Sequence, residues 1–189
     1  MAKAITLIRR CLLLVCLCGV ATVSIAQIPS TPLDLDPVVA SEVSLVEYPN
    51  LDQEDNDLAD SITSRFKTSK DVALKIVRLA GEYAYDVFPT KTDILTIIEM
   101  ESSFKETARY GDCFGLMMIK RKYHPEGTKG PEANIRTGAQ MLNDHYLTLG
   151  SVKAAIIAFN AGVGSYQKRR YTLKYYLKYI RLRTNYLVN

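Results

Sequence analysis

One carboxylate in the 189-residue sequence stands where carboxylates are seldom found. Glu101 falls near the end of the apolar run Ile94-Leu-Thr-Ile-Ile-Glu-Met-Glu-Ser-Ser-Phe104. At about 100° per residue, a helix puts Glu101 on the face of Ile94, Ile97 and Ile98, with Phe104 one turn further on. Glu99 falls roughly 200° away, on the far side. Burial disfavours the charged form of a carboxyl and lifts its pKa above the ordinary ~4.3. A carboxyl that keeps its proton near neutral pH can serve as a general acid. On this pattern alone, a buried glutamate satisfied by an arginine or a helix terminus fits equally well.

Other reactive side chains are sparse. His124, in Tyr-His-Pro-Glu, and His145, in Asp-His-Tyr, stand singly without ligand spacing, so no metal site is expected. Cys113 is the only cysteine after residue 26, which leaves no intramolecular disulfide, and it is expected to be a small buried hydrophobe. Glu106 lies just past the helix and Asp112 in the next turn, so neither makes a convincing second carboxylate. Three later segments place polar groups among glycines or aromatics. They are Gly111-Asp-Cys-Phe-Gly-Leu-Met-Met118, Ala158-Phe-Asn-Ala-Gly162, and the tyrosines Tyr171, Tyr175, Tyr176 and Tyr179. Each alone is equally a plain turn or core packing.

The elements that must position these residues are helical. Ser69 can cap a helix over roughly 70–88, with Val72, Ile76, Leu79 and Tyr83 on one side and Pro89 at its end. Thr90 and Asp93 give a capping-box start to the Glu101 helix, which runs to about Phe104. Further helices are predicted over about 132–149, stopping at Gly150, and from Ser151 through Ala161, stopping at Gly162. A last one covers about 172–186. Strand-like alternation is weak throughout, and no internal repeat appears.

The N-terminus has the form of a secretory leader. Lys3, Arg9 and Arg10 precede an apolar stretch from Cys11 to about Val23, and Ser24-Ile25-Ala26 supplies the small residues of a cleavage site. Residues 1–26 are therefore expected to be a signal peptide, with export to the periplasm; an uncleaved anchor is the alternative. Residues 27–64 hold nine acidic residues, no Lys or Arg, and four prolines, which predicts a largely disordered acidic linker with Leu58–Ile62 as a possible short helix. Residues 65–189 carry 21 Lys and Arg against 11 Asp and Glu, a net +10. Such a field favours an anionic partner, and the leader argues against nucleic acid.

The order and spacing of the motifs resemble the soluble lytic transglycosylase (SLT) catalytic domain, a relative of goose-type lysozyme. Its motifs are matched here by Glu101-Ser102, Gly115-Leu116-Met117-Met118, Asn134-Ile135-Arg136-Thr137-Gly138, Ala158-Phe159-Asn160-Ala161-Gly162 and a late tyrosine, read as Tyr175, with Tyr176 and Tyr179 as alternatives. The resemblance covers roughly 70–182 and implies an all-α, lysozyme-like domain with a substrate cleft over 65–189. Two positions depart from the family pattern: Met118 replaces a glutamine, and Phe159 replaces a tyrosine.

The resemblance further implies a peptidoglycan lytic transglycosylase that cleaves the MurNAc–GlcNAc bond with formation of a 1,6-anhydro ring and needs no cofactor. Glu101 would act as acid and then base. Ser102, Met117, Met118, Phe159, Asn160 and Tyr175 would surround the sugar. Partners would be glycan strands of the wall, and the resemblance permits service beside an envelope-spanning secretion or conjugation assembly. A hydrolytic muramidase, a catalytically weak wall-binding or scaffold domain, and a membrane-active basic protein are the competing expectations.

Overall fold

Helix caps written in the sequence set where the chain begins to coil. The computed structural model describes residues 51–187. The expected signal peptide and most of the expected acidic linker fall outside these residues. Helix α2, Lys70–Glu82, starts where the Ser69 side chain accepts from the Val72 N–H. Helix α3, Lys91–Ser102, starts at a full capping box. Thr90 Oγ1 accepts from the Asp93 N–H, and the Asp93 carboxylate accepts from the Thr90 N–H in return. Helix α4, Pro131–Leu149, has Pro131 in its first turn, where a missing N–H costs nothing, and ends on Gly150 at φ 73°. Helix α5, Val152–Ala161, is capped by Ser151. Helix α7, Lys174–Arg183, continues into a 3-10 turn over Thr184–Tyr186.

Several elements differ from expectation. The end of the predicted linker is helix α1, Leu51–Arg65, which contains the short helix expected at Leu58–Ile62 and extends it in both directions. Its acids look outward or pair with other elements, Asp60 with Lys70, and Glu54 and Asp55 with Lys91. Leu58, Ala59 and Ile62 meanwhile join the core. An acidic segment can thus fold when one face is apolar and the other meets cations from its neighbours. Helix α2 stops at Glu82, six residues before the predicted end. Residues ahead of Pro89 are pushed out of helical geometry, and the Tyr85 N–H instead donates to the Pro89 carbonyl. A short helix α6, Val163–Gln167, and a three-stranded antiparallel sheet were not foreseen. The sheet comprises β1 (Arg109–Tyr110), β2 (Cys113–Phe114) and β3 (Ile119–Lys120). Strands of two residues are too short to carry a period.

Helix α3 is the centre of the domain. Ile94, Leu95, Thr96, Ile97 and Ile98 are all fully buried, so its walls touch protein on every side. It packs against α2 and α7, and α4 and α5 pack against one another. This placement corrects the view of Glu99 as facing away from the core. Its side chain is only 11% exposed, and its carboxylate accepts from Arg65 Nη1 at 3.1 Å and from the Tyr186 hydroxyl. Asp93, at the other end of α3, accepts from the Tyr179 hydroxyl at 2.6 Å and from Arg183 Nε at 2.7 Å. The C-terminal segment therefore holds α3 at both ends.

Candidate active site

Glu101 lies in the last turn of α3, and the backbone turns sharply just beyond it. Ser103 and Phe104 both adopt positive φ, 51° and 62°. The Phe104 ring stays in the core against Phe66 and Tyr186. The Glu101 carboxyl opens into a cleft of about 600 Å³. Burial pushes its pKa up. A hydrogen bond from Tyr175 and the Lys178 ammonium pull the other way without cancelling the rise. The Tyr175 hydroxyl donates to Glu101 Oε1 at 2.6 Å. Burial first, and the adjacent carboxyl second, raise the Tyr175 phenol well above its ordinary range, so it stays protonated and serves as a donor.

One wall of the cleft is the Gly115–Met118 turn, and Asn134 holds it. Asn134 Oδ1 accepts from the Met117 N–H at 2.7 Å, and Nδ2 donates to the carbonyls of Phe114 and Gly127, both at 2.8 Å. The side chain is 1% exposed, so these bonds have no water to replace them. Gly115 must be glycine on two counts. Its φ is +78°, and a Cβ there would lie 2.5 Å from Asn134 Nδ2. Gly138, one turn along α4 from Asn134, gives Met117 its seat; a Cβ at 138 would meet the sulfur at 2.4 Å. The Asn-Ile-x-x-Gly motif is thus a clamp for the Gly-Leu-Met-Met turn, and both Met117 and Met118 line the cleft.

The opposite wall is the end of α5. Phe159, Asn160 and Gly162 line it. The Asn160 amide makes no hydrogen bond among the described residues, and the helix stop is made by the Gly162 N–H donating to the Ala158 carbonyl. Asn160 is therefore no cap, and it lines the cleft with its amide unengaged by the described residues. Phe159 is half-buried and packs on the core while edging the cleft.

Six of the seven expected site residues thus gather at one place. Ser102 does not. It is buried and its hydroxyl donates back to the Ile98 carbonyl at 3.0 Å, which corrects the expectation of a substrate contact. Tyr175 is the tyrosine at Glu101; Tyr179 is taken by Asp93, and Tyr176 stacks beside Tyr179. Cys113 is half-buried and lines the cleft, so it is not the fully buried hydrophobe expected. His145 lines the cleft too, and burial lowers its pKa, which keeps the imidazole neutral. Glu101 is the only carboxylate among the residues lining this cleft. Asp112 is exposed, and one of its oxygens accepts from the Lys122 N–H.

Sequence reasoning missed Tyr110, Lys120 and Tyr123, which also line the cleft. They lie on or beside the short strands, where no period or cap marks a residue.

Comparison with curated proteins and with solved structures gives no match. The family model for the transglycosylase SLT domain matches residues 82–178, just over half of the chain. That stretch begins at the last residue of α2 and ends inside α7, so it holds both walls of the cleft, the acid and the tyrosine bonded to it. The helical, lysozyme-like chain therefore belongs to the transglycosylase SLT domain family, with peptidoglycan as its substrate class.

Proposed function

We propose that this protein is an exported lytic transglycosylase that cleaves the MurNAc–GlcNAc bond of peptidoglycan, with Glu101 as acid and then base. The observation carrying the reading is the Glu101 carboxyl, raised in pKa by burial, open to a cleft and bonded to Tyr175 at 2.6 Å. Protonated Glu101 gives its proton to the glycosidic oxygen, and the C1–O bond breaks with charge developing at the MurNAc anomeric carbon. The substrate's own N-acetyl carbonyl stabilises that charge. The Tyr175 hydroxyl stabilises the carboxylate left behind. Glu101 then takes the proton of the MurNAc C6 hydroxyl, whose oxygen closes on C1 to form the 1,6-anhydro ring. The sum is bond cleavage without water, and the enzyme ends with its proton restored. A positioned acid and base of this kind contributes about 10²–10⁴ in rate.

A single lining carboxylate favours this route over two-carboxylate hydrolysis, in which a second group must activate water or attack the sugar. Asn160 is the group best placed to hydrogen-bond an acetamido group, while Met117, Met118 and Phe159 supply apolar wall. The leader-like N-terminus supports export, with peptidoglycan met outside the inner membrane.

The test is digestion of purified sacculi by wild type and Glu101→Gln, with products read by mass. Anhydro-muropeptides from the wild type and none from the variant are expected. Reducing-end products one water heavier would replace this reading with hydrolysis, and no release by either protein would leave a wall-binding domain.

A further inference from the structure

The arm formed by residues 109–123 has features that acid chemistry at Glu101 does not use. Tyr110 is 82% exposed and Tyr123 63%, the two most exposed aromatic side chains among the described residues that line the cleft. Leaving such rings in water forfeits the gain of burying them. The same arm carries four cations. The Lys120 and Lys122 ammonium groups lie 5.3 and 5.8 Å from the Tyr123 ring centroid. The Arg109 and Arg121 guanidinium groups lie 4.8 and 3.8 Å from that of Phe114. None of the four forms a salt bridge among the described residues. The arm's one acid, Asp112, is engaged by a backbone N–H. Lys120 is the only Lys or Arg lining the cleft, and the only carboxyl there is Glu101, whose hydrogen-bond partner is the Tyr175 hydroxyl.

Packing on aromatic faces holds these cations in place while leaving their charge unneutralised. An unneutralised cationic rim on a cleft attracts and orients an anionic ligand. The sugar rings of a glycan strand are neutral. Its carboxylates lie on the muramyl lactyl arm, either in the peptide stem joined there or, once the stem is removed, in the lactyl group itself.

Resting on the function proposed above, we infer that the Tyr110–Tyr123 arm is a carboxylate-reading subsite, with Lys120 at its centre, that selects glycan strands still bearing their acidic peptide stems. Stem carboxylates fit better than the lactyl group, because the cations continue along the arm from Lys120 in the cleft to Arg109, Arg121 and Lys122 outside its lining, farther than one carboxylate fixed at the sugar would reach.

The test measures binding of full-length Glu101→Gln, with and without Lys120→Glu, to three soluble ligands: stem-bearing glycan fragments, the same fragments stripped by an amidase, and neutral chito-oligosaccharide. Tightest binding to stem-bearing fragments is expected, weakening as salt rises. Lys120→Glu should cut that preference about two- to fivefold, the scale of an exposed charge pair. Tyr123→Ala, which removes the platform and keeps every charge, should cut it in the same direction. If stripped fragments bind as tightly as stem-bearing ones, the lactyl carboxylate is the ligand and the inference fails. It also fails if Lys120→Glu weakens all three ligands equally. Parallel turnover with Glu101 intact keeps the two proposals apart, since missing anhydro product with a stem preference intact would overturn only the cleavage chemistry.

Discussion

Replacing Tyr175 with phenylalanine removes one oxygen from the domain and, with it, the hydrogen bond to Glu101 Oε1 at 2.6 Å. The ring and its packing on the core remain. A hydrogen bond to a charged group is worth about 1.5–3 kcal/mol. It is strongest once Glu101 has given up its proton, so most of it acts on the carboxylate forming as the glycosidic bond breaks. At about 1.4 kcal/mol per tenfold, kcat should fall about ten- to hundredfold. The pH profile supplies a second reading with a definite sign. The Tyr175 bond lowers the Glu101 pKa against the rise due to burial. Without it the carboxyl keeps its proton to higher pH. The alkaline limb of the profile, where the acid form is lost, should therefore move upward in the variant. The assay is release of anhydro-muropeptides from sacculi across about pH 5 to 9, with thermal melting as a fold control. A variant that melts like the wild type, turns over within twofold of it and keeps its alkaline limb in place would refute the role given to this phenol.

Glu101→Gln should melt higher than the wild type at pH 7. Folded Glu101 binds its proton more tightly than the unfolded chain does, so wild-type stability declines as pH climbs from the unfolded pKa through the folded one, and the gap should close near about pH 4. Asn134→Ala removes three buried hydrogen bonds and should cost about 3 kcal/mol in urea unfolding, with activity falling further as the Met117 turn loosens. Asp93→Ala strips partners from Tyr179, Arg183 and the α3 cap and should cost about 3 kcal/mol by the same measurement.

Much of this site could be read from residue order because its parts obey local rules. Caps at Ser69, Thr90 and Ser151 and stops at Gly150 and Gly162 act within one turn of chain, so the starts and ends they set came out close to the structure. Glu101 stood out because one helical period put a carboxyl among isoleucines. What escaped depends on contacts between distant segments. Whether an acidic stretch folds as α1 is decided by Lys70 and Lys91, which lie on other elements. Glu99 looked solvated because a single helix has a far side, but α3 has none once the C-terminal turn closes on it. Ser102 sat beside the acid in sequence, yet the side chain at i+1 in a helix points about 100° away, into protein. The arm with Tyr110, Lys120 and Tyr123 is built from two-residue pairings whose signal is smaller than the noise of any window.

The clamp on α3 also has a consequence in time. Asp93 and Glu99 find their phenol partners 86 and 87 positions later in the chain, and Glu101 finds its own 74 positions later. A ribosome delivers residues in order, so the segments that form both walls of the groove are made before the phenols that meet Asp93, Glu99 and Glu101. A copy clipped ahead of α7 would keep the segments of both walls and lack all three phenols, leaving the Glu101 carboxyl without its hydrogen-bond donor.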